Sequence, residues 1–340
     1  MGANPLPESH PFSRELRFAL EAVRRAAQLT QQVQAEITGP ALTKSDRSPV
    51  TVADFAAQAL ASSLLAEAFP DDPLVAEEDA ADLRAPAGSS TLTQVTDFVS
   101  RFLPRITPQA VCDAIDRGAA APARRFWTLD PVDGTKGFLR GGQYAVALAL
   151  IVDGQVQIGV LGCPGFSEAS RPDSGGLGSL VAAVRGQGVW STPLNVSGEF
   201  TRLQASKRSD PGEARLLRSF EADHTDIKQI DEIARVLHVQ APPVAMDSQA
   251  KYAVLAAGAG DLLVRLLSPK QPDYREKIWD QAAGSLVVEE AGGRISDLDG
   301  QPLDFTAGRT LARNRGVLAS NGHLHAIALQ AVRQVRQGYK

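Results

Sequence analysis

The stretch FWTLDPVDGTKGFLRGGQY, residues 126–144, decides how the chain is read. Phe126, Trp127 and Leu129 are apolar and β-prone, and they run into Asp130 and Asp133 with Pro131 between the two acids. Proline fixes its own φ and biases the preceding residue toward an extended conformation, so the strand is expected to end at Asp130 instead of passing into helix. Gly134 permits a tight turn, and Thr135 is a good helix N-cap. The expected product is a strand-end loop bearing two carboxylates, the Val132 carbonyl and a hydroxyl, beside a helix N-terminus that favours anions. Hard oxygen ligands of this kind suit Mg²⁺, which takes one or two carboxylates together with phosphate oxygens. A D-P-x-D-G pentad is also ordinary turn chemistry, so the surrounding chain decides its meaning.

At 340 residues the chain exceeds one average domain, and two lobes sharing a cleft are expected. A change of character near residue 200 marks the boundary. It divides an α+β metal-binding lobe, 1–200, from an α/β substrate lobe, 201–340. Residues 80–125, irregular and rich in Ala, Pro and Gly, read as an insertion over the site. The formal net charge of −4 argues against a nucleic-acid partner, which needs a clustered basic surface. The two cysteines, Cys112 and Cys163, sit in unlike contexts and give no disulfide framework, which suits a reducing compartment. No basic-then-apolar leader is read, and no run approaches about 18 uninterrupted apolar residues. A cytoplasmic protein with a small-molecule substrate and no membrane partner is the expectation; a monomer is slightly favoured, and the oligomeric state stays open.

Residues 11–37 carry apolar positions at helical spacing, among them Phe12, Leu16, Val23 and Val33. Asp54 falls in the first turn of a second helix, read as running to about residue 67. Leu74-Val75-Ala76 is a β-like step directly followed by Glu77, Glu78 and Asp79, and that placement distinguishes this acidic run from a solvated loop. Asp153-Gly154 between apolar runs is a strong hairpin signal. In the second half, strands are read at 203–206, 215–220, 261–267, 294–296 and 317–320. Helices are read at 225–237, from 247, at 281–291 and from about 321. Arg265 interrupts the apolar run DLLVRLL, and a charge there demands a partner.

Four segments occur in order: SPVTVAD (48–54), VAEED (75–79), DPVDGT (130–135) and WDQAAG (279–284). Together they resemble the lithium-sensitive, Mg²⁺-dependent phosphomonoesterases of the inositol monophosphatase/fructose-1,6-bisphosphatase superfamily, over nearly the whole chain from Phe12 to Leu329. DAIDRG (113–118), VLGCP (160–164), DSQAKY (247–252) and YREKIWD (274–280) are similar to its branch of 3′(2′),5′-bisphosphate nucleotidases. The resemblance implies a layered αβαβα sandwich with the active site between two lobes. It implies removal of the 3′-phosphate of adenosine 3′,5′-bisphosphate, giving AMP and phosphate, with a 3′-phosphorylated adenylyl sulfate as a second substrate. It also implies about two to three Mg²⁺ ions, held by Glu77, Asp130, the Val132 carbonyl, Asp133 and Asp280. Asp54 and Thr135 match the pair that positions and deprotonates water, the carboxylate accepting from the threonine hydroxyl. His224, Ser248, Lys251 and Arg265, with Thr135 and Asp280, match the substrate contacts. Two other readings stay open: a phosphatase for inositol phosphates, and a non-catalytic phosphonucleotide sensor.

Overall fold

The structure is a computed structural model describing residues 5, 9–37, 49–166, 177–196, 199–219, 226–268 and 271–338, with the backbone alone at 37 and 49–51. The first half supplies α1 (Ser13–Ile37), α2 (Pro49–Ala68), β1 (Leu74–Ala76), α3 (Ala81–Arg84), α4 (Ser89–Ser100), α5 (Pro108–Asp116) and β2 (Arg125–Asp133). The short α6 (Thr135–Leu139) follows, then β3 (Ala145–Val152), β4 (Gln155–Cys163), β5 (Ser179–Val184), β6 (Gly188–Pro193) and β7 (Thr201–Arg202). These strands form one sheet in chain order, parallel only between β1 and β2. The second half supplies β8 (Leu216–Arg218), α7 (Ile227–Val236), β9 (Val244–Ala245), α8 (Ala250–Ala256) and β10 (Leu262–Arg265). It ends with α9 (Ala282–Glu290), β11 (Arg294–Ser296), β12 (Val317–Ser320) and α10 (His325–Gly338). Its sheet runs β11-β12-β10-β8-β9.

Side-chain parity shows why the layers stack. On β3, Ala145, Ala147, Ala149 and Ile151 face α8 and α9, while Val146, Leu148 and Leu150 face α1 and α2. A strand covered on both sides reads as a continuous apolar run, and β3 is one. In the second sheet Leu217, Leu263 and Ala319 share the α8/α9 core, and Leu216, Leu262, Val264 and Leu318 pack under α7 and α10. The order is therefore helices, sheet, helices, sheet, helices, the αβαβα sandwich expected. The middle helices need close approach. A Cβ on Gly159 of β4 would lie 2.6 Å from the Ala283 carbonyl oxygen of α9.

Several boundaries differ from the sequence reading. Strand β2 does not stop at Asp130; it continues to Asp133 through a register shift against β3. Pro131 cannot donate to the ladder, and the chain answers with a bulge instead of a break. Thr135 is not the cap of α6 but its first residue, behind a left-handed Gly134 with φ 91°. Asp54 lies in the second turn of α2, because the helix begins at Pro49. The expected strand at 203–206 is displaced to β7 at 201–202. Helices α4 and α5 from the 80–125 segment pack on α2 in a core that includes Leu83, Val95, Val111 and Ile115. No helix among the described residues is long and apolar enough to cross a membrane.

One buried histidine ties the outer edge of the second sheet together. Nε2 of His325 lies 2.9 Å from Ser296 Oγ of β11, and Nδ1 lies 3.0 Å from Ser320 Oγ of β12. Ser296 spends its own proton on the Asp297 carbonyl, so the imidazole donates from Nε2 and must keep Nδ1 bare to accept from Ser320. Burial, then the charge of Arg294, push the His325 pKa down to about 4. The unfolded chain binds this proton near pH 6.5 and the folded chain does not. Stability is therefore full above about pH 6.5 and is lost as the pH falls toward 4, by up to about 3 kcal/mol. His325→Gln is expected to flatten that part of the stability profile, measured by urea unfolding from pH 8 to 4. An unchanged slope would assign the acid sensitivity elsewhere.

Candidate active site

The site is built where β1 and β2 end together. Their parallel register pairs Ala76 with Leu129, so residue 77 comes abreast of residue 130. Val132 is buried in the helical core behind, and Asp130 and Asp133 flank it in the bulged last residues of β2, just before the chain turns through Gly134. That loop is keyed to the turn before α8. Asp133 Oδ2 accepts from Gln249 N at 2.7 Å, Arg140 pairs with Asp247, and a Cβ on Gly134 would stand 2.8 Å from Ser248 Cβ. Ser248 itself holds φ 67°, a left-handed conformation unusual for serine, and its Oγ accepts from the N–H of Ala250, the first residue of α8.

A cavity of about 370 Å³ opens between these elements. Glu77, Asp130, Val132, Asp133, Thr135, Ser248, Lys251, Arg265 and Asp280 all line it, so nine of the eleven residues singled out in the sequence meet in one place. His224 lies outside the described residues, as does Ser48 of the first motif. Asp54 is buried behind the cavity instead of on its wall, close enough for its charge to raise the Asp130 pKa. No hydrogen bond joins Asp54 to Thr135, whose side chain is exposed. The carboxylate–hydroxyl contact expected from the sequence is absent from this structure.

Arg265 has its partner within the fold. Its Nε lies 2.9 Å from Oε1 of the buried Glu276, and an Nη lies 3.9 Å from Asp280 Oδ2. Glu276 also accepts from Gln281 Nε2 at 3.0 Å, and Tyr252 donates to Gln281 Oε1. Gln249 closes the network, donating to the Trp279 carbonyl at 2.9 Å and accepting from Gly284 N at 3.0 Å. Asp280 is thus mounted on a polar frame whose members, Arg265 apart, are buried. Sequence reasoning passed over Gln249, Tyr252, Glu276 and Gln281, although a glutamine opening the apolar run of α9 was a signal that a buried amide needed partners.

Electrostatics define what the cavity wants. Burial raises the pKa of Asp130 well above the carboxylate range, and Glu77, Asp133, Asp280 and Asp54 raise it further. Burial does the same to Asp280, where Arg265 opposes it, and raises Asp133 above its ordinary value, where Lys251 and Gln249 N oppose it. Glu77 is raised by burial and by Asp133. Like charges in one cavity ionise together only when a cation pays for it. Asp130 Oδ1 is buried with no hydrogen-bond partner, an orphan acceptor at the centre of the cluster. Among the described residues no three His, Cys, Asp or Glu side chains form a ready one-ion cage. The acids are spread round the cavity, which fits an ion that completes its coordination with water and phosphate oxygens.

Fold and site define a phosphatase-type architecture, and comparison with known proteins gives it a family. Solved structures share the fold over most of both chains. They include the Thermotoga maritima IMPase (TM-score 0.65, 21% identity, 96% of this chain and 99% of that one) and Mycobacterium tuberculosis SuhB (TM-score 0.63, 21% identity, 96% and 98%). The chain matches the inositol monophosphatase family model over residues 12–337 and belongs to that family. Within it, the chain is similar to proteins named 3′(2′),5′-bisphosphate nucleotidase. That of Emericella nidulans is 41% identical over 95% of this chain and 99% of its own length. Those of Schizosaccharomyces pombe and Arabidopsis thaliana are each 41% identical, over 91% and 95% of this chain and 92% and 96% of their own.

Proposed function

We propose that this chain is a Mg²⁺-dependent phosphomonoesterase that removes the 3′-phosphate of adenosine 3′,5′-bisphosphate, giving AMP and phosphate, and accepts the related 3′-phosphorylated adenylyl sulfate. The observation that carries the reading is the unpartnered, buried Asp130 oxygen among Glu77, Asp133 and Asp280, in the same cavity as a buried lysine. Glu77, Asp130, the Val132 carbonyl, Asp133 and Asp280 would hold about two to three Mg²⁺ ions. When bound, the metal supplies positive charge for the scissile phosphate and acidifies water. Asp54 is assigned as proton acceptor, because burial and then Glu78 and Glu77 hold its carboxyl well above the ordinary range. Thr135, whose side chain lines the cavity, is assigned to orient the attacking water.

A second phosphate on the substrate explains Lys251. Among the described residues its Nζ hydrogen-bonds only neutral oxygens, Met246 O at 3.2 Å and Ser219 Oγ at 3.5 Å, and burial pulls its pKa down to about 8 against the charges of Asp133 and Asp247. An ammonium held there against desolvation is matched by an anion entering the cavity. Arg265, already paired with Glu276, is assigned to hold Asp280 and to add field at the substrate. Lys251→Ala is expected to raise KM for the bisphosphate by roughly ten- to hundredfold with little change in kcat, the worth of one hydrogen bond to a charged group. An unchanged KM in initial-rate kinetics removes Lys251 from the substrate site.

Phosphate release with Mg²⁺ from adenosine 3′,5′-bisphosphate, inositol 1,4-bisphosphate and inositol 1-phosphate tests the reading as a whole. Preference for the nucleotide is expected. Preference for an inositol phosphate keeps the acid cluster and overturns the roles of Ser248 and Lys251, and turnover of none of the three makes the chain a sensor.

A further inference from the structure

Glu77 is the one acid of the cluster carried by a three-residue strand, and its side chain makes no hydrogen bond or ion pair among the described residues. Its position is set by the backbone on either side, and two side chains grip that backbone. Before it, the guanidinium of Arg309 donates to the Ala76 carbonyl, and to the Gly118 and Ala120 carbonyls at 3.0 and 3.3 Å. After it, Gln58 makes a two-point clamp on Glu78: Nε2 donates to the Glu78 carbonyl at 2.7 Å, and Oε1 accepts from Glu78 N at 3.0 Å. Gln58 Nε2 also reaches the Ile115 carbonyl at 2.9 Å, and the fit is close enough that a Cβ on Gly118 would lie 2.5 Å from it.

Each clamp is anchored to a different part of the site. Gln58 is fully buried and lies four residues, one turn, after Asp54 on α2. Arg309 comes from the second half of the chain. Its own carbonyl accepts from Ile278 N at 3.1 Å, two residues before Asp280, and its guanidinium lies 4.9 Å from the Trp279 ring centroid. One side chain therefore gauges Glu77 against Asp54, and the other gauges it against Asp280. The 113–118 stretch that the nucleotidase resemblance singled out finds its use here, as the backbone both clamps share.

We propose that Gln58 and Arg309 are positioning residues that fix Glu77 relative to Asp54 and Asp280, and so set the affinity of the cavity for its divalent cation. The proposal rests on the reading of Glu77 as an ion ligand. Partners that orient metal ligands are typically worth about ten- to hundredfold in affinity.

The test is Mg²⁺ binding to the full chain by isothermal titration calorimetry, without substrate, on Gln58→Met and Arg309→Met. Circular dichroism checks the fold, and the Mg²⁺ dependence of turnover is the second readout. Both variants are expected to bind Mg²⁺ roughly tenfold or more weakly, while kcat at saturating Mg²⁺ returns to within a few-fold of wild type. Arg309→Lys keeps the charge over Trp279 and a donor for a carbonyl, and Gln58→Asn keeps the amide. If a methionine variant does not fold, these two carry the test with intermediate shifts. Wild-type affinity in the folded variants overturns the proposal and leaves two ordinary structural clamps. Glu77→Gln runs alongside. If it binds Mg²⁺ as wild type does, the reading of Glu77 itself fails and the proposal falls with it.

Discussion

Asp130→Asn is expected to lose about a hundred- to thousandfold in turnover while melting a few degrees above wild type in the absence of divalent cations. Both halves follow from one geometry. The Asp130 carboxylate is 2% exposed, one of its oxygens has no partner, and its neighbours are Glu77, Asp133, Asp280 and Asp54. In a metal-free protein every charge in that cluster opposes folding, and an uncharged amide of the same shape relieves about 1–2 kcal/mol of it. With Mg²⁺ the balance inverts. A ligand at free concentration L that binds only the folded chain stabilises it by RT ln(1 + L/Kd), and removing a charged ligand of the cation surrenders much of that gain. The loss of turnover follows because the cation that would face the reacting phosphate is held by one charged ligand fewer, and misplacing a group that stabilises transition-state charge costs about a hundred- to thousandfold. Paired melting curves with EDTA and with Mg²⁺, beside phosphate release, check both halves. A variant with wild-type turnover at saturating Mg²⁺ would remove Asp130 from the site.

This opposition between stability and function explains which parts of the chain could be read in advance. The acids of the site were legible because the fold delivers them in short runs at strand ends, where a carboxylate is locally out of place. Asp130 and Asp133 interrupt an apolar strand, and Glu77 follows Leu74-Val75-Ala76 at once. Strand β3 and the Asp153-Gly154 hairpin were legible for the complementary reason. A continuous apolar run and a turn dipeptide each have one cheap conformation, and Val152 does pair with Gln155 across that turn. The frame behind the site was not legible. Arg265 meets Glu276 eleven residues on, Gln58 meets Glu78 twenty residues on, and Arg309 meets Ala76 across most of the chain. Amides and guanidiniums that satisfy distant carboxylates and backbone groups leave no period and no motif. Pro131 misled for a related reason. Its effect depends on whether the partner strand can absorb a bulge, and β3 does so at Ala145 to Ala147.

Asp261→Ala is expected to destabilise the protein by about 3–5 kcal/mol, as large an effect as emptying a core position. Asp261 precedes β10 and is fully buried. Its Oδ2 accepts from Arg215 N at 2.7 Å and from Arg215 Nε at 2.8 Å, and its Oδ1 accepts from Arg215 Nη2 at 3.0 Å and from Ser206 Oγ. Arg208 Nε stands 3.3 Å from the same carboxylate, and Asn321 joins through Ser206 Oγ at 2.9 Å. The one carboxylate therefore binds the connection between the two sheets to the start of β10 and the end of β12. Alanine would leave the half-buried guanidinium of Arg215 and its backbone N–H without their acceptor, and an orphaned charge costs more than the pair is worth. Asn keeps an acceptor and most of the shape, so Asp261→Asn is expected to cost less than alanine. Although burial alone would raise the Asp261 pKa, the bonds from Arg215 and Ser206 hold it below the ordinary carboxylate value. Its contribution is therefore present above that value and is lost as the pH falls through the lower folded one, outside the range in which His325 acts. Urea unfolding of the two variants at pH 7 and at pH 4 separates these effects. A loss under 1 kcal/mol for alanine at pH 7 would show that Arg215 finds another acceptor. The second sheet would then owe its stability to its ladder, its apolar faces and the His325 tie, and not to this polar tie at the root of the strand that carries Arg265.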